Sequence, residues 1–277
     1  MRDDTARYWN DDAGPRWVRH ADALDRQLAP FGEAVLARAG IEPGHRVLDV
    51  GCGAGALSLA AARQTGARGR VLSLDVSRTL LELARRRLAA AEIEHVDAVE
   101  GDAQRHELPA GGFERIVSRF GVMFFDDSAA AFRNLRSGLA PGGSLTFACW
   151  GPIGQNPWMQ VPREVTARHV QLPAPEPDAP GPFRFADREA VLAMLGRAGF
   201  SGATADPLTG EMAIGAPGGL DGAVDFLLDI GPGAAAREAG PEVQRAFAVD
   251  LRQTLEPFVR DGEVQLGYAA WLVHAGC

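Results

Sequence analysis

The pattern of apolar and polar positions divides the chain into a helical opening, a regularly repeating middle and a mixed tail. In the middle, short apolar runs at 46–50, 70–74, 96–99, 113–117 and 144–148 read as buried strands. Helical stripes separate them. One spans 54–66, a second carries Leu80, Leu81, Ala84 and Leu88 behind Ser77 as N-cap, and a third carries Phe132, Leu135 and Leu139 behind a cap at 126–128. Strict alternation of strand and helix predicts right-handed crossovers and a parallel sheet. Before this core, Trp9, Trp17, Leu24, Leu28, Phe31, Val35 and Leu36 recur at helical spacings and predict helices lying on it. After it, 187–199 reads as a helix, 203–214 as a strand, Val243 to Phe258 as a helical face and 264–273 as a final strand.

Punctuation sets the boundaries. Residues 1–40 form a lead-in, 41–150 the core, 151–186 a lid and 187–277 a C-terminal helix, strand pair and helical insertion, all within one domain. Eight of the 18 prolines fall between Pro152 and Pro182, a density that predicts a loop or lid rather than a regular helix.

The densest chemistry is at 47–55, VLDVGCGAG, where a strand runs through Asp49 into glycines at 51, 53 and 55 and then a helix. Glycine permits positive φ and lets a ligand approach bare backbone, while the first N–H groups of the helix face that ligand unpaired. This predicts a nucleotide-type cofactor site. Taken alone, Gly51, Gly53 and Ala56 also fit a dinucleotide pattern, with Asp75 at the distance of a ribose-binding carboxylate.

Composition changes the picture in two ways. A net charge of −8 argues against a phosphate-tracking surface, and the cluster Arg85, Arg86, Arg87 reads as a solvated helix face. Cys52, Cys149 and Cys277 match no disulfide or zinc spacing, and the six histidines are scattered, so no metal site is expected. No run reaches the ~18 apolar residues of a membrane span, and the polar opening is unlike a signal peptide, which predicts a cytoplasmic protein.

Three features separate the cofactors. Asp49 directly precedes the glycines; Gly101 and Asp102 end the third strand; and Leu139-Ala140-Pro141-Gly142-Gly143 precedes the fifth. In these the chain resembles the class I S-adenosylmethionine-dependent methyltransferases, especially the group containing the ubiquinone/menaquinone-biosynthesis C-methyltransferases. The resemblance covers about residues 40–150. It implies a Rossmann-like α/β fold with a seven-stranded sheet ordered 3-2-1-4-5-7-6, the last strand antiparallel, helices on both faces and a cap from the lead-in and insertions. It also implies site roles: backbone at Gly51, Cys52, Gly53 and Gly55 around the methionine moiety, Asp49 toward its ammonium, and Asp75 on the ribose hydroxyls. Val76 would pack on the adenine, Asp102 and the Ala103 N–H would read its edge, and Phe120 would lie near ribose and sulfonium.

Methyl transfer from a sulfonium needs alignment and exclusion of water more than a strong base. Where a base is needed, His20 in the lead-in is the first candidate and His169 in the lid the second. Trp9, Trp17, Met123, Trp150 and Trp158, with Phe124, Met159, Phe226 and Leu227, are expected to line an acceptor pocket suited to a small apolar or aromatic metabolite, such as a polyketide or quinone-like ring. No nucleic-acid or membrane partner is expected, and a homodimer is compatible with the sequence. Two rivals stand beside transfer: a cyclase or isomerase that uses the sulfonium only electrostatically, and an NAD(P)-dependent oxidoreductase.

Overall fold

The computed structural model describes residues 4–173 and 179–277. A lead-in of α1 (Asp4–Arg7), a π-helical turn (Tyr8–Asp12), α2 (Ala13–Arg19) and α3 (Ala21–Ala39) precedes the core. The core then alternates β1 (Arg46–Val50), α4 (Ala56–Thr65), β2 (Arg70–Asp75), α5 (Arg78–Ala90), β3 (Val96–Glu100), β4 (Phe113–Arg119), α6 (Ser128–Gly138) and β5 (Leu139–Trp150). The tail adds α7 (Pro157–Ala167), α8 (Arg188–Arg197), β6 (Ser201–Ala213), α9 (Gly219–Asp229), α10 (Gly233–Glu238), α11 (Pro241–Leu255), β7 (Val259–Arg260) and β8 (Glu263–Gly276).

Local chemistry explains the boundaries. Ser77 and Asp127 cap α5 and α6 by accepting N–H bonds from Leu80 and Ala130, and Asp187 caps α8 through Ala190. The apolar stripe of α6 buries Phe132 and Leu135 completely, each such burial contributing roughly 1.5–3 kcal/mol. β1 to β5 pair in parallel, and β8 runs antiparallel between β5 and β6. The order β3-β2-β1-β4-β5-β8-β6 is the expected one, renumbered because the two-residue β7 folds back on β8.

Three expectations change. The proline-dense stretch holds an eleven-residue helix, α7. Pro157 occupies its first turn, where an N–H would be unpaired anyway, and Pro162 removes a single rung. The part of the stretch at 174–178 lies outside the described residues. The Pro141 to Gly143 turn, expected to precede the fifth strand, is an irregularity inside β5: pairing passes from Phe113↔Leu139 to Arg115↔Ser144 across it. Finally, Arg87 is no solvated charge. It reaches back to α3, donating to Asp25 at 2.7 Å and Asp22 at 2.9 Å, and to the Ala54 carbonyl at 3.2 Å. No helix among the described residues is long and apolar enough to cross a membrane.

Candidate active site

The carboxyl ends of β1, β2 and β4 open on one cavity of about 300 Å³, roofed by the lead-in. Its floor is the glycine turn, where Gly51, Gly53 and Gly55 all have positive φ (67°, 53° and 84°). A Cβ on Gly51 would stand 2.6 Å from the Cα of Gly121, and one on Gly55 would stand 2.9 Å from the Ala84 Cβ. Those two glycines let the β4 loop and α5 close on the turn. Nothing lies within 4 Å of a Cβ built on Gly53, so that residue leaves a bare cradle facing the cavity it lines.

Carboxylates surround the cradle. Asp75 accepts the Gly53 N–H at 2.7 Å through Oδ2 and the Ser77 N–H at 2.8 Å through Oδ1. Burial raises its pKa while these N–H groups oppose the rise. Each oxygen keeps a second lone pair for a ligand hydroxyl. Asp102 is held by Gln104, through the backbone N–H at 2.9 Å and the side-chain amide at 3.0 and 3.1 Å. Asp49 is fully buried behind the turn and does not itself line the cavity. Its Oδ2 accepts from Ser58 Oγ at 2.6 Å, and Ser73 donates in turn to Ser58, but Oδ1 has no partner. Burial pushes this carboxyl up to about 7 against the Ser58 bond and the charge of Arg119.

The opposite wall is aromatic. Phe120, the residue after β4, takes a left-handed conformation (φ 65°), and its ring stacks on Trp150, 4.1 Å away and nearly parallel at 12°. Trp158 follows at 4.5 Å from Trp150. Buried Asn156 fixes that ring: its Oδ1 accepts from Trp158 Nε1 at 2.9 Å and from the Ala269 N–H at 3.0 Å, tying the start of α7 to β8. From the lead-in, Trp9 packs edge-on against Trp17 (5.3 Å) and Phe124 (5.2 Å). The lead-in is docked on the β2–α5 loop: the Ser77 hydroxyl donates to the Trp9 carbonyl at 2.8 Å, and Asn10 bridges the Val76 carbonyl and the Arg78 N–H.

The cavity thus gathers Gly51, Cys52, Gly53, Asp75, Val76, Asp102, Ala103 and Phe120 from the expected cofactor residues, and Trp9, Trp17, Met123, Trp150 and Trp158 from the expected acceptor residues. Gly55 and Asp49 support the turn from behind. His20 stands apart from the lining, with Nε2 2.8 Å from Asp229 Oδ2. Asp229 also holds Arg19 and Arg237; burial raises its pKa, but the bonds from His20 and Arg19 and the Arg237 charge bring the net value below the usual carboxylate range. His169 is likewise engaged elsewhere, at 2.9 Å from Asp250. Phe226 and Leu227 are core residues outside the lining. Sequence reasoning missed Asp25, Gln27, Arg119 and Ile230, which the cavity adds. The available signal for Gln27 was a polar side chain inside the apolar stripe Leu24, Leu28, Phe31.

These residues fit S-adenosylmethionine better than a dinucleotide. Four carboxylates (Asp25, Asp75, Asp102, Asp126) line the cavity against one guanidinium, Arg119, and the orphaned Asp49 oxygen lies behind the turn. That balance repels a diphosphate and suits a ligand carrying an ammonium and a sulfonium. Comparison with known proteins agrees. Residues 47–143 match the family described as a methyltransferase domain. The chain is 34% identical over 122 residues to the ubiquinone/menaquinone biosynthesis C-methyltransferase UbiE of Cupriavidus taiwanensis, covering 43% of this chain and 50% of that one. It is 29% identical over 124 residues to the aklanonic acid methyltransferase DauC of Streptomyces sp., covering 45% and 53%. The chain therefore spans about half the length of the curated relatives it matches. The fold is similar to that of YcgJ of Bacillus subtilis, with a TM-score of 0.60 at 15% identity over 90% of this chain and 98% of that one. Residues 47–143 are thus similar to a methyltransferase domain, and the cavity that they floor fits S-adenosylmethionine as its cofactor.

Proposed function

We propose that the protein transfers the methyl group of S-adenosylmethionine to a small, largely apolar or aromatic metabolite. The observation that carries this reading is the single cavity joining the glycine cradle to the Phe120–Trp150–Trp158 wall. The cofactor supplies an electrophilic methyl on a good leaving group. The chain's part is placement. Gly53 and Asp75 would hold the amino-acid and ribose portions, Val76 and Asp102 the base, and Phe120 would flank the reactive centre. The ring wall and the lead-in roof would exclude water and align the acceptor, where orientation contributes most of the rate. No histidine lines the cavity among the described residues, which favours an acceptor already acidic or nucleophilic at neutral pH over one needing a strong base.

The net charge of −8 supports a small molecule rather than nucleic acid as acceptor, and the three free cysteines support a cytoplasmic setting. Incubation with methyl-labelled donor and a panel of phenols, amines and quinones should label a small molecule and release S-adenosylhomocysteine. Label appearing only in protein or nucleic acid rejects the acceptor class. Conversion of an acceptor without S-adenosylhomocysteine would instead make the protein a cyclase or isomerase of this fold.

A further inference from the structure

α3 presents two different faces to the cavity. On one, Asp25 meets Arg87 at 2.7 Å and Arg119 at 3.3 Å, and Gly32 lies beside Leu57 and the Arg119 chain, so this face abuts the glycine turn. On the other, His20, Leu24, Gln27 and Phe31 follow one another at helical spacing. The ends of that second stripe are fixed. His20 packs against Phe226 at 5.3 Å, and Phe31 packs against Trp150 at 5.1 Å and Tyr268 at 4.6 Å. Gln27 lies between these contacts along the stripe, on the side of α3 opposite Asp25 and Gly32.

Gln27 is 5% exposed and borders the cavity, yet its Oε1 is buried with no hydrogen-bond partner. A buried amide oxygen without a donor is costly to fold, and a leucine in the same stripe would pack without that cost. Only two other side chains of the described residues share this condition, Asp49 behind the cofactor turn and Ser128 at the start of α6. The terminal torsion of a glutamine is broad and roughly two-fold, so turning about it presents either end of the amide to the cavity. Buried polar groups that lack a protein partner beside a ligand pocket are the groups that select among ligands, because an analogue lacking the matching group leaves them unpaired.

We propose that Gln27 is the specificity-determining residue for the acceptor, and that it recognises a neutral hydroxyl carried on an aromatic or polycyclic ring. The hydroxyl donates to Oε1, and the same contact fixes the in-plane rotation of the ring against Trp150. A carboxylate offers Oε1 no proton and would engage only the Nε2–H end of the amide. The proposal rests on the methyltransferase reading and narrows its substrate class.

The test uses a shape-matched pair of probes, 2-naphthol and 2-methylnaphthalene, titrated calorimetrically into the full chain saturated with S-adenosylhomocysteine. The wild-type protein should bind the naphthol about tenfold tighter or more. Gln27→Leu should remove that preference, leave the affinity for S-adenosylhomocysteine unchanged, and melt at the same or a higher temperature when ligand-free. Gln27→Met, unbranched and close in volume, should behave alike and serves if the leucine variant does not fold. No discrimination by the wild type, whether both probes bind or neither, overturns the proposal, as does a preference that survives both substitutions. Lower melting temperature with weakened S-adenosylhomocysteine binding would make Gln27 a structural residue. Failure of the wild type to bind S-adenosylhomocysteine at all would strike the methyltransferase reading instead, a distinguishable result.

Discussion

The two walls of the cavity are built on opposite principles. The cofactor wall is made by backbone and strand-end carboxylates: Gly53 and the N–H groups that Asp75 gathers lie in one short segment from the end of β1 to the cap of α5. The facing wall, proposed for the acceptor, is made by side chains from separate parts of the chain, with Trp9 and Gln27 from the lead-in, Phe120 just after β4, Trp150 from β5, Trp158 from α7 and Ile230 just after α9. A backbone cradle tolerates no Cβ and so constrains sequence tightly. A side-chain wall constrains only volume and polarity, and can change its ligand without changing the fold.

The largest predicted effect breaks the first wall. A methyl on Gly51 meets the Gly121 Cα at 2.6 Å and forces an alanine to φ 67°. For Gly51→Ala we expect a loss of about 1–3 kcal/mol of stability and roughly 100-fold weaker S-adenosylhomocysteine binding. Chemical denaturation and calorimetry would check both, and near-native binding would show that the two loops can part freely.

That asymmetry explains what the sequence made legible. The glycine turn, the strand-end carboxylates Asp75 and Asp102, and the caps Ser77 and Asp127 are local features whose chemistry is complete within a few residues. The proposed acceptor side was legible only in its large aromatics and the methionines Met123 and Met159. Gln27 looks like an ordinary helical glutamine until α3 is packed against the sheet, and Arg87 becomes a tether only when Asp22 and Asp25 come to meet it. α7 was hidden because proline density outweighs propensity, although Pro157 stands at a position where it costs nothing and Pro162 costs one bond. His20 was selected on residue type alone; Asp229, 209 positions away, is what removes it from the lining.

The next effect sharpens the comparison through pH. Asp49 has a folded pKa of about 7, above the ordinary carboxylate value of about 4. Between those values the folded chain keeps a proton that the unfolded chain has released. The stability contributed by this group is therefore full below about pH 4 and falls as pH rises to about 7. Cofactor binding should run the other way, because an ammonium favours the ionised carboxylate. Affinity for S-adenosylhomocysteine should drop up to about tenfold per unit below pH 7 and level off above it. Asp49→Asn should flatten the profile; an unchanged slope in that variant would assign the dependence to another group.

A smaller effect belongs to the second wall. Trp158→Ala removes a ring pair worth about 0.5–1.5 kcal/mol, so 2-naphthol should bind about 3- to 10-fold more weakly. S-adenosylhomocysteine should bind as before, since Trp158 is held by Asn156 and packs at a tilt against Trp150 rather than on the glycine turn. Parallel losses for both ligands by calorimetry would mean that the walls are not independent.

The smallest effect is expected at His20. A general base contributes about 10²–10⁴ to rate, so its removal would be unmistakable. Here Nε2 is committed to Asp229, in a cluster with Arg19 and Arg237 that joins the lead-in to α9 and α10, and the ring lies outside the cavity lining. Glutamine can keep a hydrogen bond to Asp229 without titrating. His20→Gln should therefore change turnover of whichever acceptor the panel identifies by less than about tenfold and leave its pH profile in place. A rate loss of the full general-base size, together with a lost limb between pH 5 and 8, would return His20 to the chemistry and require the lead-in to shift on binding so that the ring reaches the acceptor.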